Sequence, residues 1–276
     1  TPWWLGIALS GPLGAVLRRL AGRRRRIAER NLERCFPDWS AADRAALLSA
    51  HFRALGRTLF ETCWAWSAGD RRFRRVVRVE GAEHLDTARA AGKGIMILTA
   101  HVTCLEMGGR ITALAAPETN AVYRPLRSPV LEWYQNSSRS AYLSGLISKR
   151  DLRGIVRALR ANEAIWYAPD QDFGPDRSVF APFFGIETAS LEATVRLAQM
   201  SGCAVVPMYA AFDAARRRWT VRFDPPLGDF PSGDTRADLA RINRIFEEKI
   251  RRVPEQYWWI HRRFKTRPEG EPPFYD

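Results

Sequence analysis

The run Gly94-Ile-Met-Ile-Leu-Thr-Ala-His101-Val-Thr-Cys-Leu-Glu106-Met-Gly-Gly109 sets a short apolar stretch directly ahead of a helix start. Residues 94–99 read as a buried strand, and the residues after Val102 begin a helix. Open α/β sheets place their chemistry where a strand ends and the chain turns into a helix. A histidine at that point can be neutral near pH 7 and take a proton from a hydroxyl. Glu106, five residues on, is expected to reach back and hold the second ring nitrogen. The alternative is a capping box, Thr103-Cys-Leu-Glu106, in which Glu106 only satisfies a free N–H at the helix start.

The rest of the chain alternates strand and helix outward from this point. Upstream, Ser40-Ala-Ala-Asp43 has the look of an N-cap, and apolar spacing then continues as one or two amphipathic helices to Trp66. Downstream, the pattern predicts a helix over 104–116, a strand over 120–123 and helices over 129–140 and 152–159. It continues with a strand over 164–168, a helix over 188–200 and a strand over 203–211. A further strand over 219–223 pairs antiparallel beside that one, and a last helix runs over 235–251. This predicts an α/β fold, a largely parallel mixed sheet flanked by helices on both faces. Four post-strand segments should gather at one sheet edge: 101–106, 123–127, 169–184 and the residues around Pro207. Tyr123-Arg124-Pro-Leu-Arg127 supplies cations there. Pro169-Asp170-Gln-Asp172 supplies carboxylates that also suit plain turn formation.

The 276 residues, 46% apolar with 17 prolines, belong to a folded globular protein. A formal charge of +13, from 43 Lys+Arg against 30 Asp+Glu, implies an anionic partner. Four scattered cysteines form no Cys-x-x-Cys, which speaks against zinc and disulfide frameworks. Cys104 beside His101 reads as a packed thiol before a nucleophile. A Gly-x-Ser-x-Gly elbow, a Walker A loop and a His-Glu-x-x-His motif are all lacking. Near the N-terminus, the apolar segment Trp3–Leu17 ends at Arg18 and is followed by Arg23-Arg-Arg-Arg26. Fifteen residues fall short of a helical bilayer span, and tryptophan at one end with arginine at the other suits a membrane interface. The alternatives are a helical arm packed on the domain or the remnant of a longer anchor. A cleaved signal peptide would carry its charges ahead of the apolar run. The expected division is an arm, residues 1–27, and a catalytic domain, residues 28–276.

Taken together, the chain resembles the lysophospholipid-acyltransferase superfamily, with its His-x4-Asp/Glu hallmark, and more closely the lipid A late acyltransferases of the lauroyl-transferring branch. Asn31-Leu-Glu-Arg-Cys-Phe-Pro37, His101-x4-Glu106, Val122-Tyr-Arg-Pro125, Asp151-Leu-Arg-Gly154 and Trp166-Tyr-Ala-Pro-Asp170 carry the resemblance. Pro182-Phe-Phe-Gly185 and the long block Pro254–Gly270 extend it in family order over roughly residues 28–276.

The resemblance implies a glycerolphosphate-acyltransferase-like fold with a membrane-associated arm. It implies transfer of a fatty acyl chain from acyl carrier protein to the hydroxyl of a 3-hydroxyacyl chain on a Kdo-bearing lipid A precursor. The place would be the cytoplasmic face of a Gram-negative inner membrane. His101 would be the general base and Glu106 its orienting carboxylate. Arg124, Lys149, Arg150 and Asp170 would bind or position substrate, Lys149 standing where the family commonly has arginine. Direct attack calls for no cofactor and no metal. The cluster Arg262, Arg263, Lys265 and Arg267 is expected to meet carrier protein or phosphate. Competing readings are acylation of a lysophospholipid or glycolipid, a thioesterase using the same histidine on water, and a basic nucleic-acid binder. The last is disfavoured because the tryptophans lie in apolar or terminal segments.

Overall fold

A computed structural model describes residues 3–275; Thr1, Pro2 and Asp276, which the expected arm and domain include, lie outside the described residues. Three helices lead: α1 (Trp3–Leu20), α2 (Gly22–Cys35) and α3 (Ala41–Ser67), the last capped by Ser40, whose hydroxyl accepts from the Asp43 N–H at 3.1 Å. The short α4 (Asp70–Arg74) and β1 (Val77–Glu80) follow, then α5 (Ala82–Ala90), β2 (Ile95–Leu98), α6 (Leu105–Ala115) and β3 (Thr119–Tyr123). Next come α7 (Pro129–Ser140), β4 (Gly145–Ser148), α8 (Leu152–Arg160) and β5 (Ala164–Tyr167). The chain finishes with β6 (Ser178–Phe183), β7 (Ile186–Leu191), α9 (Ala193–Ser201), β8 (Ala204–Asp213), β9 (Arg218–Phe223) and α10 (Thr235–Arg252).

Seven strands form one sheet in the order β1-β9-β8-β2-β5-β3-β4. β8, β2, β5, β3 and β4 run parallel, β9 is antiparallel to β8, and β1 is parallel to β9. The expected largely parallel mixed sheet is therefore present. The central β2 and β5 are wholly buried, which is why both read as uninterrupted apolar runs. Parallel pairing of β2 with β5 and of β3 with β4 brings the ends of all four strands, and the loops that follow, to one edge. Gly108 and Gly109 let α6 lie close on the sheet: a Cβ at either would come within 2.7 Å of Ala210 or Trp166.

One expectation needs correction. The stretch 188–200 is not one helix, because Ile186–Leu191 pairs with Ser178–Phe183 as an antiparallel hairpin and the helix begins at Ala193. Thr188 and Ser190 sit buried in that hairpin, where Ser190 Oγ accepts from Asn243 Nδ2 at 3.0 Å, so buried polar residues broke the apolar alternation. The apolar stretch 179–184 forms the other strand and packs with Tyr257 and Phe264, as core.

At the N-terminus, α1 and α3 cross backbone to backbone. A Cβ on Gly56 would sit 2.6 Å from Gly14 N, and one on Gly14 would sit 2.8 Å from Arg53 Cα. α2 runs unbroken across residues 27 and 28. Among the described residues, no helix is long and apolar enough to cross a membrane.

Candidate active site

His101 stands in the loop after β2, partly exposed, and its carboxylate partner is Asp170. The parallel pairing Leu98↔Tyr167 carries the loops after β2 and β5 out side by side. Asp170 Oδ1 lies 2.5 Å from His101 Nδ1, and Asp170 Oδ2 accepts the His101 backbone N–H at 2.9 Å. Burial alone would raise the Asp170 pKa, but the charge and hydrogen bonds of His101, with help from Arg263, hold it below the usual carboxylate range. With Asp170 ionised, the nitrogen facing it carries a proton, so in the neutral ring the lone pair falls on Nε2.

The C-terminal segment braces this loop. Trp258 N–H donates to His101 O at 3.1 Å, Thr103 N–H donates to Gln256 O at 2.8 Å, and Val102 bridges antiparallel to Tyr257. The Gln256 side chain is pinned in turn to the Phe212 N–H and C=O of β8, at 2.7 and 2.9 Å.

Glu106 does not hold the His101 ring. Its Oε2 accepts from Trp66 Nε1 at 2.7 Å and from Arg139 Nε at 3.1 Å, and its Oε1 pairs with Arg139 Nη2. The physical reason is the helix: α6 starts at Leu105, so Glu106 rides its first turn toward α3 and α7, while His101 sits before the turn. Nor is Glu106 part of a capping box, since Cys104 at the N-cap makes no side-chain capping bond and Thr103 Oγ1 has no partner. Asp170, expected to position substrate, instead has both oxygens on His101.

Arg124, Lys149 and Arg150 gather at the ends of β3 and β4, with Arg177 beside them. Burial, then the neighbouring Arg124, Arg177 and Arg150, lower the Lys149 pKa. The Lys149 ammonium also sits over the Phe173 ring, 5.1 Å from its centroid. Several like charges held together at the sheet edge that carries His101 make a ready anion site.

The C-terminal cluster divides. Arg263 is buried and donates to Ala189 O at 2.6 Å, and Arg267 donates to Glu187 O at 2.8 Å, so these two hold the hairpin rather than a partner. Asp172 also serves the framework. It accepts from Thr266 N and Oγ1 at 2.7 and 2.9 Å and closes a turn with Gly174 N–H at 3.0 Å. The Asp172 N–H donates to His261 Nε2 at 3.2 Å, and burial lowers the His261 pKa to about 4. The Cys104 thiol is buried and its pKa is pushed well up, which leaves it as packing.

Sequence reasoning missed Arg139 and Trp66, the partners of Glu106. His261 lies within the block Pro254–Gly270. A signal was available for Arg139: it is the lone cation of its helix, on the face that Glu132 and Asn136 share.

A family model described as bacterial lipid A biosynthesis acyltransferase matches residues 4–266. The chain belongs to that family. The lipid A biosynthesis palmitoleoyltransferase of Escherichia coli is 40% identical over 99% of this chain and 91% of its own length. The lauroyltransferase of the same organism is 37% identical over 99% of this chain and 92% of its own length. Its myristoyltransferase is 28% identical over 97% and 88%. Among solved structures, the 1-acyl-sn-glycerophosphate acyltransferase of Thermotoga maritima covers 73% of this chain and 80% of its own, at TM-score 0.38 and 16% identity. The protein is thus an acyltransferase of lipid A biosynthesis.

Proposed function

We propose that this acyltransferase moves a fatty acyl chain from the thioester of acyl carrier protein to the free hydroxyl of a 3-hydroxyacyl chain on a Kdo-bearing lipid A precursor, at the cytoplasmic face of the inner membrane. The observation that carries the mechanism is the 2.5 Å approach of Asp170 Oδ1 to His101 Nδ1. It favours the tautomer in which Nε2 can act as a base. Nε2 removes the hydroxyl proton as the oxygen attacks the thioester carbonyl, and Asp170 stabilises the imidazolium that forms. Collapse of the tetrahedral intermediate breaks the C–S bond, and the imidazolium returns its proton to the departing thiolate. The products are an ester and free carrier thiol, and no group on the enzyme is acylated.

Arg124, Lys149, Arg150 and Arg177 supply the charge that acceptor phosphates and carboxylates need. The exposed Trp4, Leu9, Val16 and Leu20 of α1, with Arg18, Arg19 and the arginines of α2 after them, support attachment of the arm to the membrane surface. Glu106, paired with Arg139, fixes α6 against α7 and so sets the wall of the site.

Purified protein given lauroyl- or palmitoleoyl-carrier protein and the Kdo-containing precursor should yield a lipid heavier by one acyl group, read by mass spectrometry. Acylation of a lysophospholipid with no gain on the precursor overturns the acceptor assignment. Full turnover in H101A overturns the mechanism.

A further inference from the structure

Helix α7 is inside out. At about 100° per residue, Val130, Leu131, Trp133 and Tyr134 share one broad face, and Glu132, Asn136 and Arg139 share the other. The apolar face is the exposed one: Val130 is 73% exposed, Leu131 60%, Trp133 68% and Tyr134 45%. The polar face turns inward, with Glu132 and Asn136 half-buried and Arg139 buried on Glu106. A water-solvated surface helix has the reverse arrangement, its apolar stripe toward the core. Isolated exposed apolar residues are ordinary, but four within five positions of one helix mark a surface built for another medium.

The outward face says which medium. It carries no charge, whereas a surface for an acidic carrier protein needs cations. The exposed Arg124 and Arg127 sit just ahead of the helix, with Leu126 between them 40% exposed, so positive charge borders the apolar face at one end. That order, cations then aliphatic and indole side chains, matches an anionic headgroup layer over acyl chains.

A second apolar surface lies nearby. α1 exposes Trp4, Leu9, Val16 and Leu20, and it packs on α3 where Gly6 meets Phe60. α7 meets the same end of α3, with Tyr134 edge-on to Trp66 at 5.4 Å. The exposed Leu59 stands beside the first of these contacts.

We propose that α7 is a membrane-embedded helix, seating Leu126, Val130, Leu131 and Trp133 among the acyl chains of an anionic phospholipid bilayer beside the active site. Its inner face holds Glu106, so one helix thickness, about 10 Å, separates that carboxylate from hydrocarbon. Taken with the acyltransferase reading, on which this consequence rests, a lipid acceptor reaches the site by lateral diffusion along α7 without leaving the leaflet.

The test is co-sedimentation with vesicles of phosphatidylethanolamine and phosphatidylglycerol containing neither acceptor nor thioester, so it is independent of catalysis. The V130Q/L131Q/W133Q variant, checked for parental circular dichroism, should bind at least tenfold more weakly. Vesicles brominated in the acyl chains should quench the parent's tryptophan emission, and W133F should lose part of that quenching. Should the triple variant fail to fold, the W133F comparison alone decides. Parental binding by the triple variant with unchanged quenching in W133F overturns the proposal. So does a variant that binds vesicles normally but loses self-association or carrier-protein affinity, which would make this face a protein interface.

Discussion

His101 and Asp170 lie 69 positions apart in the chain yet share two hydrogen bonds, one to the ring and one to the backbone. The backbone bond places the loop and the ring bond places the base, so one carboxylate does both. Replacing it with an amide keeps the shape and removes the charge. D170N should therefore lower kcat by on the order of a hundredfold or more, as H101A should, because the remaining tautomer and imidazolium are no longer held. Steady-state rates with saturating donor, alongside circular dichroism, check both. A second residue-scale consequence concerns protons. Burial drops the His51 pKa from 6.5 to about 4, and its Nδ1 lies 2.9 Å from Glu255 O. The unfolded chain binds this proton more readily, so stability is full above about pH 6.5 and falls as pH drops toward 4. The loss from His51 alone is roughly 3 kcal/mol at 1.36 kcal/mol per unit, and His261 adds to it in the same window. Urea titrations at pH 7 and pH 5 should show the decline, and H51Q should flatten it.

Between elements, the buried Glu106–Arg139 pair joins α6 to α7, and Trp66 ties it to α3. Removing either charge strands the other out of water. E106A and R139M should each cost about 3 kcal/mol, and the double variant should cost less than the sum. A double-mutant cycle by chemical denaturation reads that coupling. How far such features were legible in the sequence differs by element. The buried strands β2 and β5 announce themselves as Ile-Met-Ile-Leu and Ala-Ile-Trp-Tyr, and α3 and α10 carry their caps in plain view. β1 and β4 are four residues each, half-buried and at the sheet edges, too short for alternation to register. At the site, His101 was legible because a histidine closes an apolar run. Its partner was not, because the adjacency of β2 and β5 is a property of strand order, and sequence spacing favoured the nearer carboxylate. The apolar face of α7 was visible in the sequence, but only burial shows that it points outward.

Over the whole molecule, the charge of +13 is spent partly inside: Arg110 and Arg263 are buried against backbone carbonyls. What remains outside should steer anionic partners, so kcat/KM with carrier-bound donor should fall as salt rises from low to high ionic strength while kcat holds. Stopped assays across a salt series check this, and an unchanged kcat/KM would refute it. The brace on the His101 loop has a consequence in time. Gln256, Tyr257 and Trp258 emerge from synthesis long after His101, yet they pair with its loop on both sides. A nascent chain therefore carries its base unsupported for some 150 residues of elongation, and domains consolidate from the N-terminus as they are made. Catalytic competence therefore waits on residues 256–258, and a copy terminated before them would lack the activity.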